Sequence, residues 1–153
     1  CQNDYGYVTI KITDESIDAR RCDSMTEPML AKAIKLTIPA EGEYALVARM
    51  ALSGLAMLAG LDVDLIGDLR TVTDECCDCL MHQPLRPACI TVDAWIGGGR
   101  LFFRFGAEKR CGAGCEQTLQ MDITKGVLET LMPEVRLDTD EDGVFGIECS
   151  MPV

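Results

Sequence analysis

Apolar and polar residues change period several times along the chain, and each change marks an element. Tyr5 to Thr13 (YGYVTIKIT) alternates Tyr7 or Val8, Ile10 and Ile12 with polar residues, the period of a strand. Asp14 to Pro28 is polar and charged, and reads as a connection. Ile34 to Ile38 (IKLTI) is a short β-prone run closed by Pro39. Glu43 to Leu61 is then almost wholly apolar, rich in Ala, Leu and Met, with acids at its start and Gly60 at its end, which predicts a helix. A helix apolar on nearly all sides must be covered, either inside the domain or by a partner.

A second helix is predicted from Asp62 to His82. Asp62 or Asp64 can cap it, Leu65, Leu69, Val72, Cys76 and Cys79 share one face at three-to-four spacing, and Pro84 and Pro87 stop it. Ala88–Ala94 and Arg100–Phe105 read as strands joined by a hairpin at Gly97-Gly98-Gly99. Gly106 to Gly114 reads as a loop. Asp122 to Met132 is a last helix, with Asp122 as its cap. Glu134–Thr139 and Val144–Ser150 form a closing hairpin around Asp140-Glu141-Asp142-Gly143. Strands with helices interposed in this order predict an α+β fold, a two-layer sandwich whose mostly antiparallel, mixed sheet carries its helices on one face. Residues 1–33 are set apart as an N-terminal extension, and residues 34–153 as the domain.

Composition narrows the function classes. The 153 residues suit one domain, and 48% apolar residues suffice for a core. Aromatics are only 5%, so that core is aliphatic and rich in Met. A net charge of −11 argues against nucleic acid, since phosphate binding needs clustered Lys and Arg, and favours basic partner surfaces or simple solvation. Nine cysteines, with Cys76, Cys77 and Cys79 inside one helical pattern, suit reduced thiols better than a disulfide framework. The most apolar stretch is interrupted by Arg49, and no signal-peptide pattern is visible, so a cytoplasmic location without membrane insertion is expected.

Several segments carry a family resemblance. LTIPAEGEYALVARMALSGLA resembles the first strand and helix of anti-sigma-factor serine/threonine-protein kinases, members of the GHKL, or histidine-kinase-like, ATPase superfamily. DVDLIGDLRTVTDECCDCLMH resembles that family's second helix, and LETLMPEVRLDTDEDGVFGIECS its last helix and closing hairpin. The resemblance implies the Bergerat fold. In the family, a Glu on the second helix is the general base and an Asn one turn later holds Mg²⁺. Here the Glu position is Glu75 and the Asn position is Cys79, a soft ligand ill suited to Mg²⁺. The adenine-binding Asp of the family's Asp-x-Gly-x-Gly loop falls at Phe105, followed by Gly106. The glycine-rich phosphate lid falls at QMDITKGVLETL, where Gly126 alone remains and Asp122 adds negative charge.

The resemblance therefore implies a degenerate nucleotide site at Cys79, Phe105, Gly106, Asp122 and Gly126, with Glu75 a vestigial base or a plain surface acid. No cofactor is expected; ATP and Mg²⁺ enter only if the pocket is divergent rather than lost. The partners implied are a sigma factor or an anti-sigma antagonist, together with a homodimer. Arg49 occupies a partner-contacting position of the family, or else forms an intramolecular salt bridge or a snorkelling stem. Two alternatives stand beside the regulatory reading. One is an active ATP-dependent serine kinase using Glu75. The other is a thiol-based metal or redox sensor, for which Cys79, His82, Cys111 and Cys115 could supply tetrahedral zinc ligands.

Overall fold

The computed structural model describes residues 9–13, 33–83, 87–107, 121–141 and 143–153. They form strands β1 (Thr9–Thr13) and β2 (Ala33–Pro39), a short 3-10 turn (Gly42–Tyr44) and helices α1 (Ala45–Leu58) and α2 (Val63–Met81). Strands β3 (Cys89–Gly97) and β4 (Arg100–Ala107) follow, then helix α3 (Met121–Leu131) and strands β5 (Glu134–Asp140) and β6 (Gly143–Pro152). The six strands make one sheet in the order β1-β2-β3-β4-β6-β5, antiparallel at every pairing. The result is an α+β arrangement compatible with a two-layer sandwich. β1 lies within the stretch that the sequence sets apart as an extension, yet it pairs along its whole length with β2.

The helix ends are fixed by local chemistry. Asp62 caps α2, its Oδ1 accepting from the Leu65 backbone N–H at 2.9 Å. α1 ends in a Schellman motif. Leu61 N–H donates to the Ala56 carbonyl at 3.0 Å, Gly60 N–H donates to the Met57 carbonyl at 3.1 Å, and Gly60 takes the left-handed φ of 83° this requires. The buried Leu61 side chain anchors the turn and sends the chain directly into α2. At the β3–β4 hairpin, Gly98 and Gly99 both have positive φ, as a tight turn of this hand needs.

Among the described residues, the helices cover one face of the sheet. Leu36, Ile90, Val92, Leu101, Phe103, Phe105 and Ile147 point from it into the core, where they meet Leu52 and Ala56 of α1, Leu69, Val72 and Leu80 of α2, and Leu128 of α3. The opposite face is polar and arranged by register. Lys35, Asp93, Arg104, Glu148 and Arg136 stand side by side across β2, β3, β4, β6 and β5, with alternating charge. Lys35–Asp93 (3.6 Å) and Arg104–Glu148 (3.3 Å) bond within this row, and Asp138 reaches Arg104 (3.1 Å) and Arg136 (3.6 Å). Asp138 crosses over Gly146 to do so; a Cβ there would stand 3.0 Å from its Oδ2. Beside this row Trp95 stacks on Phe102, centroids 5.3 Å apart and rings within 9° of parallel.

The C-terminus of α2 is tied to the sheet by Gln83. Its buried amide donates to the Cys79 carbonyl, while its Oε1 accepts from the Val144 backbone N–H at 2.8 Å, where β6 begins. One side chain thus satisfies an open helix-end carbonyl and a buried strand N–H. Gln83→Met, similar in size but unable to do either, should cost about 1–3 kcal/mol of unfolding free energy in urea titrations. Glu129→Ala, on the exposed side of α3, should stay within about 0.5 kcal/mol of the parent.

Candidate functional site

The residues singled out from the sequence fall on elements that are neighbours: β4 lies under α2, and α3 packs beside α2. The side chains nevertheless do not form a pocket rim. Phe105 is fully buried, lies between Val92 and Ile147 in register, and meets Phe103 edge to face at 6.1 Å. It is a core residue. Gly106, the next residue, belongs to the opposite face, where a Cβ would come within 3.1 Å of Thr91 Oγ1. Strand β4 also runs on to Ala107, so Gly106 is in the sheet rather than in a loop. Gly126 is exposed in mid-helix, its carbonyl accepting from Thr130 Oγ1 at 2.7 Å. Asp122 is the second residue of α3 rather than the residue preceding it; its side chain lies outside the described residues, as do Cys111 and Cys115.

Glu75 and Cys79 share a face of α2, one turn apart. Cys79 is buried and its carbonyl and thiol both face Gln83, with Nε2 to Sγ at 3.7 Å. Its thiol is pushed up to about 11 by burial, with the charges of Asp78 and Glu75 adding to the effect. Glu75 is half-buried and has no hydrogen-bond or ion-pair partner among the described residues. His82 is exposed, its Nδ1 lying 2.9 Å from the Asp78 carbonyl and 3.1 Å from the Asp78 carboxylate. No cluster of three or more metal-ligating side chains occurs among the described residues.

The other buried thiols line the same helix. Cys77 is pushed up from 9.0 to about 12 by burial, then by Asp74 and Asp78. Cys76 is raised by burial and by a hydrogen bond with Cys149 on β6. A thiolate is the reactive form, so these groups are suppressed as nucleophiles and as metal ligands. A crevice of about 10 Å³ between Ile34, Leu36, Ala51, Leu52, Val92 and Ala94 is at the lower limit for one water, roughly 10–15 Å³.

Arg49 adopts the intramolecular arrangement. Its Nη1 meets Asp74 Oδ2 of α2 at 2.8 Å, its carbonyl accepts from Ser53 Oγ at 2.7 Å, and Arg70 Nε donates to the same hydroxyl at 3.2 Å. This polar seam closes α1 against α2. The feature not resolved from the sequence is the opposite side of α1. Leu46, Met50, Met57 and Leu58 are 50%, 60%, 69% and 84% exposed. At 100° per residue these four and Gly54 fall within an arc of about 120°, which a helical projection of the sequence would have found.

No family model matches the chain, and no curated protein matches it. No helix among the described residues is long and apolar enough to cross a membrane.

Three outcomes are expected. Because burial pushes the folded Cys77 thiol up to about 12 and also encloses it, its alkylation at pH 8 should be at least about 1,000-fold slower in the native protein than in urea. The folded state keeps its proton where the unfolded state loses it. Stability from this group is therefore intact below pH 9 and falls as pH rises toward 12, with a slope approaching about 1.4 kcal/mol per unit. Cys77→Ala should flatten that decline in urea titrations. Arg49 and Asp74 are 34% and 44% exposed, so their double-mutant coupling energy should be no more than about 0.2–1 kcal/mol.

Proposed function

We propose that this chain is a regulatory protein-binding module of the anti-sigma type on a GHKL-like scaffold. It binds a sigma factor or an anti-sigma antagonist in the cytoplasm, as a homodimer, without nucleotide. The observation that carries this reading is the exposed, uncharged side of α1: Leu46, Met50, Met57 and Leu58 lie in open solvent on a helix whose charged residue is turned inward to Asp74. Exposed contiguous apolar side chains on a small acidic domain are the signature of a contact surface. Loss of nucleotide is supported by Phe105, buried in the core where the family resemblance calls for an adenine-binding carboxylate. It is supported again by Cys79, whose thiol is protonated and enclosed where a magnesium ligand would be required.

One observation favours the active-kinase alternative: Glu75 is half-buried and uncommitted among the described residues, as a general base would be. The two readings separate cleanly. In a thermal-shift titration with ATP and Mg²⁺ at millimolar concentration, the regulatory module shows no stabilisation. A nucleotide-binding kinase would gain about 2.7 kcal/mol with nucleotide present at 100 times its dissociation constant. The partner is tested by co-elution of the purified chain with purified sigma factors and antagonists from its own cell. Failure to retain any of them would overturn the anti-sigma reading.

A further inference from the structure

Two thiols that lie far apart in the chain meet inside the core. Cys76, in α2, and Cys149, on β6, are hydrogen-bonded to each other, and both are buried. Both are free thiols. The contact belongs to a longer line of contact between the two elements. The Gln83–Val144 bond holds the end of α2 against the start of β6. From that bond the helix runs back over the strand, antiparallel to it, to the Cys76–Cys149 pair. Cys149 is fixed on the strand side, paired with Phe103 of β4 and Val135 of β5.

The neighbouring thiols of α2 are placed differently. The sulfur of Cys79 faces the Gln83 amide at 3.7 Å. Cys77 and Cys79 share a helix with Cys76, where residues so close in sequence do not reach disulfide geometry. Cys76 and Cys149 stand on two separate elements with their sulfurs in contact. Closing that contact to the roughly 2.05 Å of a covalent bond requires α2 and β6 to approach, not to rearrange.

We propose that Cys76 and Cys149 form an oxidation site, which hydrogen peroxide converts to a disulfide fastening α2 to β6. The structure holds its reduced form. One thiolate attacks a peroxide oxygen. The O–O bond breaks, a sulfenic acid forms, and the displaced oxygen takes up a proton and leaves as water. The second sulfur then attacks the sulfenic sulfur. The S–O bond breaks, the S–S bond forms, and a second water leaves. Two thiols lose two electrons in all, and one peroxide is reduced to two waters. Enclosure sets the trigger, because a buried thiol keeps its proton and excludes the oxidant. The first step therefore waits for α2 to lift from the sheet. Opening and oxidant must coincide, and the bond then prevents further opening. This site is independent of the protein-binding reading above.

The test uses the whole chain, fully reduced and then treated with hydrogen peroxide at pH 8, with and without urea below the unfolding transition. Remaining thiols are blocked with iodoacetamide, and a non-reducing digest is read by mass spectrometry. The expected product is a Cys76 peptide joined to a Cys149 peptide, lighter by two hydrogens than the sum of its parts. It should form severalfold faster in the sub-denaturing urea, which favours opening. The oxidised protein should unfold at higher urea than the reduced one, and dithiothreitol should restore the lower midpoint. Cys76→Ala and Cys149→Ala should each lose the joined peptide and the midpoint shift, while Cys77→Ala keeps both; circular dichroism verifies that each variant folds. The inference is overturned if Cys76 or Cys149 joins another cysteine instead, or if either gains oxygen without a joined pair. It is equally overturned if both stay reduced in urea while other thiols react, if the rate ignores urea, or if the joined protein unfolds at the same midpoint.

Discussion

Everything else in this molecule depends on the dry contact that the middle of α2 makes with the centre of the sheet. Leu69, Val72, Cys76 and Leu80 are wholly buried, and so are Phe103, Phe105 and Ile147 beneath the helices. Burying side chains of this size gives on the order of 1.5–3 kcal/mol each, before the entropy of ordering them. α1 and α3 flank α2 and bury one side each, through Ala48, Leu52 and Ala56 and through Leu128, which is why each can keep a solvent-facing side. The small thiols suit this position. Cys76 and Cys79 occupy little volume, bring the helix close to the strands, and act as short apolar groups. Their chemistry follows from their packing, since the enclosure that makes them good core residues also holds their protons on.

The polar face of the sheet solves a different problem. Among the described residues the helices pack on one side of the six strands, and a one-residue slip would turn the apolar half of their side chains away from them. Here the row Lys35, Asp93, Arg104, Glu148 and Arg136 makes such a slip costly at each strand pair from β2 across to β5, because neighbours of opposite sign would lose their partners. Individually these half-exposed pairs contribute little to stability. Collectively they specify register, as does Gly146, whose missing side chain leaves room for Asp138 to reach across a strand to Arg104.

Much of this was legible in the sequence. The cap at Asp62, the stop at Gly60, the Gly97-Gly98-Gly99 turn and the strands around it were readable because each rests on a local rule, enforced within a few residues. Ends set by tertiary contact were less so. β3 runs on to Gly97 and β6 to Pro152 because neighbouring strands pair with them, and α1 starts two residues late because a 3-10 turn replaces its first turn. Gln83 was invisible as a link, since its two partners lie four and sixty-one residues away. The candidate site was legible in identity but not in orientation. Phe105 and Gly106 are adjacent in sequence yet belong to opposite faces of the sheet, so a motif read along the chain splits when the strand forms. Glu75 and Cys79 stayed together, because a helix keeps residues four apart on one side.

The most instructive element is α1, where composition and geometry pull apart. By composition it reads as a helix to be enclosed on every side. The fold encloses only the side carrying Ala48, Leu52, Leu55 and Ala56, and spends its one arginine and one serine on a seam with α2. What remains is an apolar surface that contributes nothing to the core and carries a solvation cost. A domain of this size has a small stability margin, on the order of 5–15 kcal/mol, and polar residues at Leu46, Met50, Met57 and Leu58 would have been neutral for folding. Folding therefore does not account for the residue types found there, and the protein contact proposed above would.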